Sequence, residues 1–146
     1  MATSWIKVFD SFMNKIEDVD LASLELEDQI EDLKGFLYEA LTYIAMSDLT
    51  LDSNLNEMNE IRMEFEDDLS IFEVELIAKY MVVAWYSRQV NSLQHTNLFV
   101  GTTGERFTDQ NQHLKQILAA REYWEVEARK QYRNKHILNN DYFDKK

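Results

Sequence analysis

The side chains able to do chemistry in this 146-residue chain are few, and their spacing suits no common site. His95, His113 and His136 stand 18 and 23 residues apart, so no two of them share a helix face as metal ligands would. Asp52, Asn54 and Asn56 match the first three ligand positions of a calcium loop, but Glu57 stands where that loop needs glycine and Met63 where it needs glutamate. The segment reads instead as an acidic loop and a helix cap. There is no cysteine, which closes disulfides, thiol nucleophiles and thiolate metal sites together. Glu66, Asp67 and Asp68 form a solvated run, whereas a catalytic pair needs one carboxyl in an apolar pocket and a partner fixed opposite. No serine sits in a Gly-x-Ser-x-Gly elbow, and Gly101-Thr102-Thr103-Gly104 is too short for a phosphate loop. These patterns predict no cofactor, no metal and no catalysis, and leave an enzyme built on a helical bundle as the least supported class.

The elements around these residues read as helix. Trp5, Val8, Phe9, Phe12 and Ile16 fall on one helical face, with Thr3 or Ser4 as cap and an end expected near Glu17. Asp20 or Ser23 can cap a second helix from about Ser23 to Met46, with the stripe Leu26, Ile30, Leu33, Leu37, Ala40, Leu41 and Ile44. Between Ser47 and Leu69 helical spacing competes with the strand-like alternation of Ile61, Met63 and Phe65, and the type stays open. Ser70 and Glu73 make a capping box, and Leu69 and Val74 a hydrophobic staple, so a third helix begins at Ile71. It is apolar on most of its circumference to Leu93, which predicts a central helix with Trp85 enclosed.

Gln94 to Thr108 carries two of the three glycines and suggests a short β-hairpin, whose Leu98, Phe99, Val100 and Arg106 are either loop contacts or a cover for the bundle. A fourth helix is expected from about Asp109, with His113, Leu114, Ile117, Leu118, Trp124, Ala128 and Tyr132 on one side. The expected division is a bundle over residues 1–133 and a C-terminal tail over 134–146. In that tail Ile137, Leu138, Tyr142 and Phe143 alternate with polar residues, and it either folds back along the bundle or docks on a partner. The fold class expected is therefore all-α, about four main helices with a hairpin-like loop and an extended tail.

The absence of proline, where average usage gives about 7, and the shortage of glycine argue against sandwiches and barrels. The net charge of −12 is unevenly spread: residues 1–73 hold 19 acids against 4 Lys and Arg, a net of −15, and residues 74–146 hold 8 against 11, a net of +3. The acidic half disfavours sequence-specific nucleic acid and anionic membranes as partners. The aromatics lie mostly on helix stripes, as core residues do. No long apolar run occurs, and Met1 to Trp5 lack the start of a signal peptide, so a cytoplasmic origin is expected.

Phe65-Glu66-Asp67-Asp68-Leu69-Ser70, Glu73-Val74-Glu75-Leu76-Ile77-Ala78 and Met81-Val82-Val83-Ala84-Trp85-Tyr86, followed by Asn91 and Leu93, resemble the middle of tailed-bacteriophage neck proteins. These are head-to-tail connectors, or adaptors, that dock under the portal. Asn111-Gln112-His113-Leu114-Lys115 and the terminal Tyr142-Phe143 are similar too, and the likeness covers about residues 36 to 143. The resemblance implies an all-α bundle in a ring, twelve-fold in that family, on the portal of the virion neck, assembled in the host cytoplasm. It implies a C-terminal tail that grips the portal or a neighbouring subunit through Ile137, Leu138, Tyr142 and Phe143. The charge split predicts subunit contacts between an acidic flank with Glu17, Asp18, Glu31 and Asp32 and a basic flank with Lys115, Arg121, Arg129 and Arg133. The same acidity motivates the alternative of an inhibitor that mimics DNA and occupies a basic groove.

Overall fold

The computed structural model describes the backbone of residues 2–47, 49, 51–100 and 104–138, and the side chains of these except 19, 20, 94–100, 104–110 and 136–138. The chain is an all-α helical bundle with one small sheet.

Strand β1 (Thr3–Ser4) leads directly into α1 (Trp5–Met13). Ser4 is the cap, its hydroxyl accepting from Ile6 N at 3.2 Å. Thr3 is free for another task and is buried: its Oγ1 donates to the Asp67 carbonyl at 3.1 Å and accepts from Leu69 N at 2.8 Å. The apolar face of α1 is the expected one, Trp5, Val8, Phe9 and Phe12, but the helix stops four residues before Glu17 and Ile16 packs from outside it.

A short helix α2 (Val19–Ser23) follows, capped by Asp18, whose Oδ1 accepts from Leu21 N at 3.0 Å. The long helix α3 (Leu26–Met46) therefore begins three residues later than Ser23 and has no side-chain cap bond at Glu25. Glu27 and Asp28 in its first turn complement the helix dipole. Leu21, not Leu26, enters the core; Leu26 is exposed.

The ambiguous stretch forms β2 (Met58–Asn59) and β3 (Glu64–Phe65), and β1 pairs with β3, giving an antiparallel sheet in the order β1-β3-β2. Phe65 faces both Thr3 and Met58 in register and is fully buried. In the β2–β3 turn Asn59 Oδ1 accepts from Ile61 N and Arg62 N, and Met63 takes a positive φ of 54°.

The central helix α4 (Ile71–Val100) starts where the capping box places it. Leu76, Ile77, Ala78 and Tyr80 to Ala84 are all buried, because α1, α3 and α5 (Gly104–Leu138) pack around α4. Trp85 departs from expectation: it is half-buried, and its Nε1 donates to Asp18 Oδ2 at 2.8 Å. The hairpin expected over Gln94 to Thr108 does not form. Residues 94–100 hold no glycine or proline to stop α4, and two short strands without a third partner gain too little to compete with a helix already under way. Helix α5 likewise starts five residues before Asp109 and runs through Leu138, five past the expected boundary at Arg133. Of its expected stripe, Leu114, Ile117, Leu118, Trp124 and Tyr132 are half-buried, Ala128 is buried and His113 is exposed.

Candidate functional site

The expected contact residues fall in three places. Leu98, Phe99 and Val100 end α4 and Arg106 opens α5, so they are helical, and their side chains lie outside the described residues. Ile137 and Leu138 form the last turn of α5 in place of an extended tail, while Tyr142 and Phe143 lie outside the described residues. On the basic flank, Lys115 and Arg133 are exposed, Arg121 is half-buried, and Arg129 holds Glu125 of its own helix at 2.9 Å. On the acidic flank, Glu17 and Glu31 are exposed. Asp18 is occupied by Leu21 N and Trp85, and Asp32 faces Arg88 at 3.5 Å, whose guanidinium lies over Phe36.

One cluster has the composition of a nucleophilic site. Ser11 of α1 and Lys15, two residues past the end of that helix, meet Glu75 of α4. The Ser11 hydroxyl donates to Glu75 Oε1 at 2.6 Å, and Lys15 Nζ donates to Glu75 Oε2 at 2.7 Å and to Ser11 Oγ at 3.0 Å. An activated serine needs a neutral base to take its proton. Here the lysine is an ammonium held by a carboxylate, and it donates to the serine oxygen, so the cluster clamps α1 to α4. Burial raises the Glu75 carboxyl, but the hydrogen bonds from Lys15 and Ser11 and the charges of Lys15 and Lys79 outweigh it, leaving its pKa below the ordinary value.

The charge sequence continues across α4 to α5. Burial pulls the Lys79 ammonium below the usual lysine range; Glu127 and Glu75 oppose this without cancelling it, and Lys15 adds to it. Lys79 opens into a groove of about 660 Å³, which has Phe72 of α4 on one wall and Glu127, Lys130, Gln131, Asn134 and Lys135 of α5 on the other. Gln131 Nε2 donates to the Phe72 carbonyl at 3.1 Å, and Lys135 Nζ sits 4.1 Å from the centroid of the Phe72 ring. Lys130 is 3.7 Å from Glu127. The groove thus gathers three lysines against one glutamate in a chain of net charge −12.

Sequence reading missed this groove because its two walls are some 50 residues apart in the chain. The only local signal was the density of basic residues after Arg121. Among the described residues no group of three or more His, Asp or Glu stands where it could hold a metal, and no helix is long and apolar enough to cross a membrane. No protein-family model, curated protein or solved structure matches the chain.

Proposed function

We propose that this chain is a virion structural protein of a tailed bacteriophage, a head-to-tail connector that forms a ring beneath the portal and links capsid to tail. The observation that supports this reading is the placement of α5. Over 35 residues, roughly 50 Å of helix, it lies along α4 with Ala128 alone fully buried among its described side chains. It turns Tyr123, 58% exposed, and Val126 outward beside the exposed Lys130 and Arg133. A long helix that its own bundle covers on one side, with apolar residues on the other, suits a protein that works by docking.

On this reading the partners are the portal protein, further neck or tail proteins and copies of the chain itself. Arg121 and Arg129 serve as subunit contacts, and Tyr142 and Phe143 anchor the end of the chain on the portal. Because α5 runs through Leu138, the truncation that tests docking is placed after Leu138, where it spares the helix. The truncated chain is expected to keep the circular dichroism and melting temperature of the full chain and to fail to join heads, and the full chain is expected in purified virions. Absence from virions, or normal attachment of the truncated chain, overturns the proposal.

The DNA-mimic reading stands second. Exposed Glu27, Asp28, Glu31 and Glu39 share α3 with exposed Leu26, Tyr38 and Met46, which interrupt the continuous anionic face that a mimic needs. Capture of a basic protein by a chain absent from virions would favour it.

A further inference from the structure

Helix α5 carries a second seam, on the side turned away from the bundle. Its exposed residues include Gln116, Ala119, Tyr123, Val126, Lys130 and Arg133, spaced alternately three and four apart. That repeat of about 3.5 residues is the spacing at which one helix packs along another. Leu114, Arg121, Ala128 and Lys135 recur every seven residues on the opposite face and are buried or half-buried against the bundle. The seam therefore has the period of a helix-packing face and stands in solvent.

Charge selects the helix that fits it. On one flank of the seam lie Glu122 and Arg129, opposite in sign, seven residues apart and both exposed. Arg129 holds Glu125 at 2.9 Å through one nitrogen, which leaves guanidinium N–H groups for a second carboxylate. Glu122 has no ion-pair partner among the described residues. Two copies of α5 laid antiparallel, with Tyr123 of each on Val126 of the other, bring Glu122 of each against Arg129 of the other, twice by symmetry. The same register sets Lys130 on Ala119 and Arg133 on Gln116, so neither cation of the seam meets its own image. Arg133 approaches Lys115 of the second copy at the outer end of the contact, where both are exposed and salt screens them. A shift of one heptad either way pairs Glu122 with Glu122 or Arg129 with Arg129, and a parallel pairing sets Lys130 on Lys130 and Arg133 on Arg133.

We propose that the outer face of α5 docks against α5 of a second copy of this chain, antiparallel, with Tyr123 packed on Val126 and Glu122 paired to Arg129 across the contact. Such a contact is isologous and closes at two copies. Each copy brings three apolar residues to its centre, Ala119, Tyr123 and Val126, so the pair is weak and forms at about 10–100 μM. The inference goes beyond the connector reading and is read on the purified chain alone, so its failure leaves the virion experiment untouched. Because the pair covers Arg129, a ring contact on that reading, it belongs to the free chain.

Sedimentation velocity in about 150 mM salt tests it, with circular dichroism verifying that each variant, changed only at exposed positions, keeps its helix content. The unmodified chain is expected to approach twice the monomer mass as its concentration rises to about 500 μM. Tyr123→Ser, Glu122→Arg and Arg129→Glu are each expected to dissociate at least about tenfold more readily. The double variant Glu122→Arg with Arg129→Glu exchanges the two charges and is expected to return to within about threefold of the unmodified chain. The chain has no cysteine, so Ala119→Cys and Lys130→Cys, placed in separate chains, report the direction of the helices. Mixed and oxidised, they are expected to join as a disulfide-linked 1:1 pair. Ala119→Cys alone is expected to stay unlinked, because the antiparallel register sets the two copies of position 119 about 16 Å apart along the axis, beyond the reach of a disulfide. An unmodified chain that stays monomeric at about 500 μM overturns the proposal. So does a double variant that associates no better than the single ones, or Ala119→Cys that links alone as readily as in the mixture.

Discussion

Glu73 shows how much one side chain can carry. It is 3% exposed, and its carboxylate accepts from Ser70 N and Ser70 Oγ at 3.1 Å each, from Ser53 Oγ at 3.0 Å and from Ser53 N at 3.2 Å. The Ser70 bonds close the capping box, and Glu73 N donates back to Ser70 Oγ at 3.2 Å. The Ser53 bonds tie the preceding loop to the start of α4. Glu73→Ala leaves these donors unmatched in a buried place and is expected to cost about 3 kcal/mol, read from urea unfolding. A loss near zero would show that water replaces the carboxylate freely. Glu75 makes a pH prediction. Its folded pKa lies below the ordinary 4.5, so it contributes stability above the unfolded value, and that contribution is lost as pH falls through the folded one. The melting-temperature gap between the unmodified chain and Glu75→Gln is therefore expected to be widest near neutral pH and to close in acid. A gap that widens on acidification would contradict the assigned direction.

Among the elements, α4 and α5 contrast most. Helix α4 is buried around its circumference because three helices meet it, while α5 touches the bundle along one line, at its closest where Ala128 is fully buried. Ala128→Leu forces three carbon atoms into that line and is expected to cost about 1–3 kcal/mol, whereas Ala119→Leu, at an exposed position of the same helix, is expected to change stability by less than about 0.5 kcal/mol. Equal effects at the two positions in thermal unfolding would mean that α5 is not seated on α4 at Ala128. The sheet is the other lesson at this scale. Two-residue strands have little stability alone. Glu64–Phe65 is a strand because Thr3–Ser4 lies on one side of it and Met58–Asn59 on the other. Leu98 to Val100 lie in the last turn of α4, where the helix continues.

The whole molecule is an acidic body with a local basic groove, and its self-repulsion at net −12 works against compactness. Raising salt from about 10 mM to about 150 mM shortens the reach of that repulsion, so the melting temperature is expected to rise by about 2–4 °C; a fall would mean that bridges such as Lys15–Glu75 outweigh it. The sequence by itself determined the all-α class, the start of α1 to within a residue, with Thr3 or Ser4 as its cap, the end of α3 at Met46, the start of α4 at Ile71 and most of the core faces. These are legible because a helical stripe and a capping box repeat within a few residues of chain, where one dimension still carries the geometry. Tertiary structure decided the fate of the open stretch before Leu69, the length of α4 past Leu93 and the partners of Thr3, Ser11 and Ser53, each settled by residues of another element. It also decided the groove. Lys79 and Lys135 are 56 positions apart, and no pattern along the chain states that α5 folds back on α4; the packing of the two helices makes those lysines neighbours.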